Sequence, residues 1–254
     1  SMSPLPYEAP VFPPDTVHGN CFHTDLMMQI QCIFPLCSVH CPPTHFLLTD
    51  LKYPNIHVPL NCMDNLISCC SWHPDNDYAR EHENGSLGKT ECWYILDSEP
   101  GTQIVIGHHA KDKEELMQMV EEKRWKDLIR EVPVKKGDFY QIDPGCVHAI
   151  KGGTVILETQ QSSDITYRVY DYDRKWNGKL RELHVKQSLD VIKTPFQPAK
   201  DQRSITHTEG ADLEHLETCP YYTVEKYDIH GTWDHVFEAG FVNASVIKSE
   251  AKRS

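Results

Sequence analysis

Gly137-Asp-Phe-Tyr-Gln-Ile-Asp-Pro-Gly-Cys-Val-His148 is the stretch on which the reading of the fold turns. Phe139 to Ile142 has the aromatic and β-branched bias of a strand. Asp143-Pro-Gly145 is turn chemistry, Pro fixing its own φ and Gly free to take a positive one. Val147-His-Ala-Ile150 then starts a second strand. Working outward, Gly152-Gly153 introduces a third, Thr154-Val-Ile-Leu157. Upstream, Glu91-Cys-Trp-Tyr-Ile-Leu96 ends at the turn Glu99-Pro-Gly101, and Gln103-Ile-Val-Ile-Gly-His108 follows. These two runs read as the arms of a hairpin. Tyr221-Tyr-Thr-Val224 and Phe241-Val-Asn-Ala-Ser-Val-Ile247 add strands further on. Many short strands separated by turn residues predict a mainly β chain, an antiparallel barrel or sandwich.

One segment breaks the strand pattern. Asp112 reads as a helix N-cap, with Glu114 and Glu115 in the first turn where they favour the helix dipole. Leu116, Met117, Val120, Trp125, Leu128 and Ile129 supply an apolar face. A break near Lys123 divides the run into two short helices and Pro133 stops it, which predicts a helical insertion near 112–131. A second discontinuity is compositional. The first 72 residues hold one Lys or Arg, Lys52, of 25 in the chain, and seven of its ten Cys (Cys21, Cys32, Cys37, Cys41, Cys62, Cys69, Cys70). Cys92, Cys146 and Cys219 are scattered through the rest. A secreted disulfide framework accompanies a small, loop-rich fold; this chain is neither, so free thiols are expected.

At 254 residues the chain suffices for one large domain or two small ones, and its 39% hydrophobic content allows a real core. The net charge of −12 argues against nucleic acid, whose phosphates need clustered Lys and Arg. A small phosphorylated ligand is still compatible, since a few local cations suffice for it. No apolar run approaches the ~20 residues that a membrane span needs. Ser1-Met2 reads as a cleavage scar before an initiator Met, with no signal peptide after it, so a cytoplasmic location is expected.

Three segments converge on a metal site: Trp72-His-Pro-Asp-Asn-Asp77, Gly88-Lys-Thr-Glu-Cys-Trp93, and Gly137-Asp138 with Asp143-Pro-Gly-Cys-Val-His148. The last resembles the second motif of the cupin β-barrels, in which a Gly-Asp turn opens a strand and Gly-x-x-His aims the imidazole inward. The usual Pro two residues before the second Gly is here Asp143, with Pro shifted to 144. His nitrogens and a carboxylate oxygen from separate strands make a borderline N/O site that suits zinc. Spacing alone carries little, because no His-x-His or Cys-x-x-Cys pair occurs. With 15 His in the chain, any one of them has a plain reading as a core or surface residue, and Lys89 and Glu91 have one as a solvated strand face.

Longer motifs add weight. His73-Pro-Asp-Asn-Asp-Tyr78, Leu87-Gly-Lys-Thr-Glu-Cys-Trp-Tyr-Ile-Leu96, Lys136-Gly-Asp-Phe-Tyr140, Gly145-Cys-Val-His-Ala149, Leu157-Glu-Thr-Gln-Gln-Ser-Ser-Asp164 and Thr166-Tyr-Arg-Val-Tyr-Asp-Tyr-Asp-Arg174 together resemble the short bacterial form of type I mannose-6-phosphate isomerase, a cupin family. The match runs from about residue 73 to about 200 and more loosely to about 247. The resemblance implies a jelly-roll cupin barrel with a helical insertion and a second, smaller β-barrel that is incomplete here. It also implies zinc on His73, Glu91 and His148, with Arg168 as the active-site Arg and Lys89 as the Lys of the Lys-x-Glu motif. Interconverting an aldose and a ketose moves a proton between C1 and C2, and Glu158 is a further candidate for carrying it. No glycine-rich phosphate loop is present, so side-chain cations would hold the sugar phosphate.

The chain departs from the family at both ends. Before residue 72, the family's Trp-Gly-Gly turn and Gly-Glu-x-Trp segment are absent, and Pro10-Val-Phe12, His23-Thr-Asp25 and Asp64-Asn-Leu66 resemble islands of the expected sequence. Ser71 stands where many members carry a Gln. This composition is what is expected if part of residues 13–72 is read out of frame, with the frame restored before His73. The family also continues past a segment like Phe241 to Ile247, whereas this chain stops at Ser254. The expected parts are an aberrant N-terminal segment (1–72) contributing to the barrel, a metal-binding core (73–200) and a truncated C-terminal β domain (201–254). The rival to the isomerase is a non-catalytic cupin remnant that binds zinc or a sugar phosphate. Another cupin reaction, a dioxygenase or epimerase, ranks below both.

Overall fold

The structure, a computed structural model, describes residues 29–32, 36–39, 44–51, 56–57, 60–63, 69–231, 233–236 and 242–249. The islands at Pro10 to Phe12, His23 to Asp25 and Asp64 to Leu66 lie outside the described residues, as do Ser1-Met2 and Phe241. The early strands are β1 (Gln29–Cys32), β2 (Leu36–Val39), β3 (Thr44–Leu51), β4 (Ile56–His57), β5 (Leu60–Met63) and β6 (Cys70–Trp72). Next come α1 (Asn76–His82), β7 (Glu91–Ser98), β8 (Gln103–His108), α2 (Lys113–Glu121), α3 (Trp125–Leu128), β9 (Ile129–Pro133), β10 (Phe139–Ile142), β11 (His148–Ala149), β12 (Thr154–Gln161) and β13 (Tyr167–Tyr170). The remainder is β14 (Lys175–Trp176), β15 (Lys179–Leu180), α4 (Val185–Val191), β16 (Ser204–Thr208), β17 (Ala211–Thr218), β18 (Tyr222–Ile229), β19 (Trp233–Val236) and β20 (Val242–Ser249).

The chain is mainly β, and its larger sheets are antiparallel. One sheet runs β10-β7-β12-β4 with β5 also on β12, and a second runs β13-β6-β11-β8-β9. They face each other across Trp93, Ile95, Ile104, Ile106, Ile142 and Ile156. A third, six-stranded sheet runs β1-β20-β3-β18-β17-β16. It covers the outer face of the first, packing Leu216, Tyr222 and Val224 on Cys92, Tyr94, Leu96 and Leu157. This explains why Glu91 to Leu96 is buried throughout. Successive residues point to opposite faces of a strand, and on β7 both faces are covered. The pairing also joins early and late parts of the chain: β3 lies between β18 and β20, while β4 and β5 lie on β12.

The helical insertion forms as read. Asp112 accepts from Glu115 N at 2.8 Å to cap α2, and Lys123, at φ 55°, separates α2 from α3. Leu116, Met119, Val120 and Leu128 bury against Trp72, Val105 and Val147 on the outside of the second sheet. Met119 takes the inward place expected for Met117, which is 40% exposed. Two further expectations need correction. Ile129 starts β9 instead of ending a helix. The runs at 91–96 and 103–108 are not a hairpin, because β7 pairs with β10 and β12 while β8 pairs with β11 and β9. Helices α1 and α4 are additions. Cys69, Cys70, Cys92, Cys146 and Cys219 are free thiols. Among the described residues no helix is long and apolar enough to cross a membrane.

Candidate metal centre

His73 follows the last residue of β6, Glu91 opens β7 and His148 opens β11, so two facing sheets deliver the three side chains. All three are buried, at 3%, 1% and 5% exposure. Each imidazole is turned by a main-chain carbonyl: His73 Nδ1 lies 3.0 Å from Ile165 O and His148 Nδ1 lies 3.0 Å from Cys146 O. A carbonyl only accepts, so both Nδ1 atoms carry hydrogen and both Nε2 atoms turn lone pairs inward. The two Nε2 atoms are 3.0 Å apart. Glu91 spans them, its Oε2 3.4 Å from His73 Nε2 and its Oε1 3.4 Å from His148 Nε2. The turn before His148 is locked to His73, since Gly145 N donates to His73 O at 3.0 Å. Gly145 has φ +84°, and a Cβ there would lie 2.6 Å from Val191 O, so only glycine fits the turn.

Burial lowers the pKa of both imidazoles, that of His148 to about 4 against the pull of Glu91. For Glu91, burial acts upward, but His148, Lys89 and His73 outweigh it and hold the carboxyl well below its ordinary range. Neutral imidazoles beside an ionised carboxylate leave the two Nε2 lone pairs facing each other and Glu91, with no donor between the two nitrogens. A proton on one nitrogen would satisfy a single neighbour, whereas a divalent cation would satisfy all three. The donor set therefore fits a metal ion, with each His oriented by its other ring nitrogen as metal-ligating His usually is.

Lys89 lies against this cluster, its Nζ 2.9 Å from Glu91 Oε2 and 3.6 Å from Glu158 Oε1. Burial would lower the Lys89 pKa, but the two carboxylates outweigh it and raise it. Burial, reinforced by Glu91, pushes Glu158 up to about 8. Arg168 on β13 pairs with Ser71 on β6, which pairs with His148 on β11. Directly paired residues share a face, so Arg168 stands two strands from the ligand His in one row. Its Nη1 donates to Glu182 O at 3.0 Å, and its Nε is buried without a partner.

No family model matches the chain. It is 47% identical over 183 residues to the mannose-6-phosphate isomerase ManA of Bacillus subtilis (strain 168), covering 71% of this chain and 58% of that protein. It is 46% identical over 181 residues to the mannose-6-phosphate isomerase of Streptococcus mutans serotype c, covering 71% and 57%. Among solved structures, the mannose 6-phosphate isomerase from Bacillus subtilis matches with a TM-score of 0.67 at 32% identity, covering 75% of this chain and 71% of that one. The chain belongs to the mannose-6-phosphate isomerase family. It spans somewhat over half the length of the curated relatives it matches, 58% and 57%.

The family motifs thus bring His73, Glu91 and His148 within 4.8 Å of one another by their ligand atoms, and Lys89 and Glu158 join them. Arg168 reaches the same wall, with part of its guanidinium turned to the Glu182 carbonyl. Ser71, two residues before His73, bonds back to Cys69 O at 3.3 Å. Sequence reading missed the Ile165 and Cys146 carbonyls, because main-chain acceptors leave no side-chain signature. It also missed the carboxamides of Asn76 and Gln161, although Asn76 lies inside the His-Pro-Asp-Asn motif.

Proposed function

We propose that the chain interconverts mannose 6-phosphate and fructose 6-phosphate as a zinc-dependent aldose–ketose isomerase. One observation carries the reading: three lone-pair donors, His73 Nε2, His148 Nε2 and a Glu91 oxygen, converge within 4.8 Å beside the Lys89–Glu158 pair. His73, Glu91 and His148 would hold the metal, and an N/O donor set of this kind suits zinc. When bound, zinc supplies Lewis acidity toward sugar oxygens. Moving hydrogen between C2 and C1 requires a group that holds a proton beside those carbons. Burial, reinforced by Glu91, pushes the Glu158 carboxyl up to about 8; its ionised form would accept the proton from one carbon and return it to the other, and Glu158 is assigned to that transfer. Lys89 is assigned to the sugar or its phosphate, and Arg168 to the negative charge of the enediolate.

The proposal extends to the three-part division at about residues 72 and 200, and to a cytoplasmic enzyme of small sugar phosphates without nucleic-acid or membrane partners. A second reading, a remnant that binds zinc or a sugar phosphate without turnover, is favoured by the Cys-rich first 72 residues, which hold a single Lys or Arg and only islands of the sequence expected there. The test is a coupled assay of mannose 6-phosphate conversion, run after chelation and again after zinc is restored. Zinc-dependent turnover supports the isomerase. Folded, zinc-loaded protein without turnover supports the remnant.

A further inference from the structure

The segment 86–90 carries Lys89 without belonging to any strand or helix. A strand would borrow its geometry from a ladder of main-chain bonds. Here three consecutive N–H groups go to three different places. Gly88 N donates to Asn76 Oδ1 at 2.9 Å, Lys89 N to Pro74 O at 3.0 Å, and Thr90 N to Gln161 Oε1 at 2.8 Å. Two of these acceptors are side-chain carboxamides, and they bond each other, Gln161 Nε2 donating to Asn76 Oδ1 at 3.2 Å.

The orientation of both carboxamides follows from chemistry. An amide N–H can only donate, so Gly88 fixes which end of Asn76 is oxygen, and Thr90 does the same for Gln161. Asn76 Nδ2 is then left to donate to Tyr221 Oη, at 2.9 Å. Tyr221 immediately precedes β18 in the six-stranded sheet. Gln161 also donates its own N–H to Thr90 O at 2.9 Å, closing a reciprocal pair. Ser163 Oγ holds the other end of the segment through Leu87 O at 2.9 Å.

We infer that Asn76, Gln161 and Tyr221 form a positioning clamp that sets the Lys89 segment against His73 and Glu91, and that through Tyr221 the six-stranded sheet helps hold this segment. None of the three is a catalytic residue. Asn76 stands three residues after His73, so one clamp registers a metal-ligand segment and the Lys89 segment together. The consequence for catalysis rests on the isomerase reading; the mechanical consequence does not.

The test is native-state amide exchange at Lys89 and Thr90, neither of which bonds Asn76 directly. Asn76→Ala is expected to speed exchange at both by about tenfold or more. Asn76→Asp keeps the acceptor oxygens and should restore most of the protection. Tyr221→Phe, which removes only the outer acceptor, should give an intermediate rise of about threefold. Unchanged exchange at Lys89 and Thr90 in Asn76→Ala overturns the clamp, and so does an Asn76→Asp variant as unprotected as the Ala one. In the coupled assay, Asn76→Ala should lower kcat by about tenfold with zinc content unchanged. An equal kcat despite faster exchange overturns the link to catalysis. If the parent protein shows no turnover, the isomerase reading fails and the exchange results still decide the clamp.

Discussion

Gly88→Ala measures how closely the Lys89 segment is fitted to the start of α1. Gly88 does not take a left-handed φ, so space alone calls for glycine. A Cβ at this position would lie 2.4 Å from Asp75 C, 2.6 Å from Asn76 N and 2.7 Å from Asp75 O. All three are main-chain atoms, which cannot swing aside as the end of a side chain can. Ordinary contact begins at 3.4 Å, so the two segments must part by about 1 Å. The bonds that close this seam, Gly88 N to Asn76 Oδ1 at 2.9 Å and Lys89 N to Pro74 O at 3.0 Å, would stretch or break. Overpacking of this kind costs about 1–3 kcal/mol, a fall in Tm of roughly 2–12 °C for a chain of this size. Lys89 is the next residue, and a shift of about 1 Å in a positioned group costs on the order of 10²-fold in turnover. Calorimetric melting and the coupled isomerase assay, both on zinc-loaded protein, read the two effects separately. A Gly88→Ala protein that melts with the parent and isomerises at its rate would show that the seam is slack and the reasoning wrong.

Other substitutions address the metal, the charge and the pH response. His148→Ala should weaken zinc binding by more than the roughly 10–100-fold typical of losing a supporting contact, read as zinc retained after dialysis; parent-like retention would remove His148 from the ligand set. Arg168→Ala should keep zinc and lower kcat by about 10²–10³-fold, and turnover at the parent rate would show its assigned role to be mistaken. Burial, with Asp143 and then Asp201 nearby, pushes Glu217 up to about 7 from an ordinary 4.5. Because the folded pKa is the higher one, the folded state holds this proton more tightly, and stability falls as pH rises from about 4.5 to about 7. Glu217 is buried and lines a cavity of about 340 Å³, and Glu217→Gln should gain about 1–2 kcal/mol above pH 7 and nothing below pH 4. Denaturant melts of both proteins at pH 4 and pH 8 check this, and an equal gain at both pH values would refute the assignment.

What the sequence disclosed and what it hid follow from how much information each pattern carries. Strand positions were readable because β-branched and aromatic runs between Gly and Pro are local signals. Strand partnership was not, and the 91–108 pair shows why. Glu99-Pro-Gly101 states that the chain turns, but whether β8 returns to the sheet of β7 or crosses to the facing sheet depends on the other strands. Ile129 failed for a related reason: an apolar residue after Leu128 suits a helix face and the first position of a buried strand equally. Helix α1 spans 7 residues, too few to show a period, and its cap, Asp75 accepting from Tyr78 N at 2.9 Å, is hidden inside a motif read for its histidine. The metal cluster lies at the far end of this scale. His73, Glu91 and His148 are brought together by β6, β7 and β11 from two sheets, so their spacing in the chain carries almost no signal, and only the resemblance of whole motifs singled them out. The carbonyls of Ile165 and Cys146 carry even less, since any residue type supplies a carbonyl. Yet they aim both Nε2 atoms at Glu91: the turn at Gly145 and β11 fix the backbone at Cys146, and Ile165 is held just ahead of β13, its N–H donating to Ser163 Oγ at 3.4 Å. The site chemistry therefore depends on positions where the side chain is nearly irrelevant and the main-chain path is fixed, and substitutions there should matter only when they move the path, as at Gly88 and Gly145.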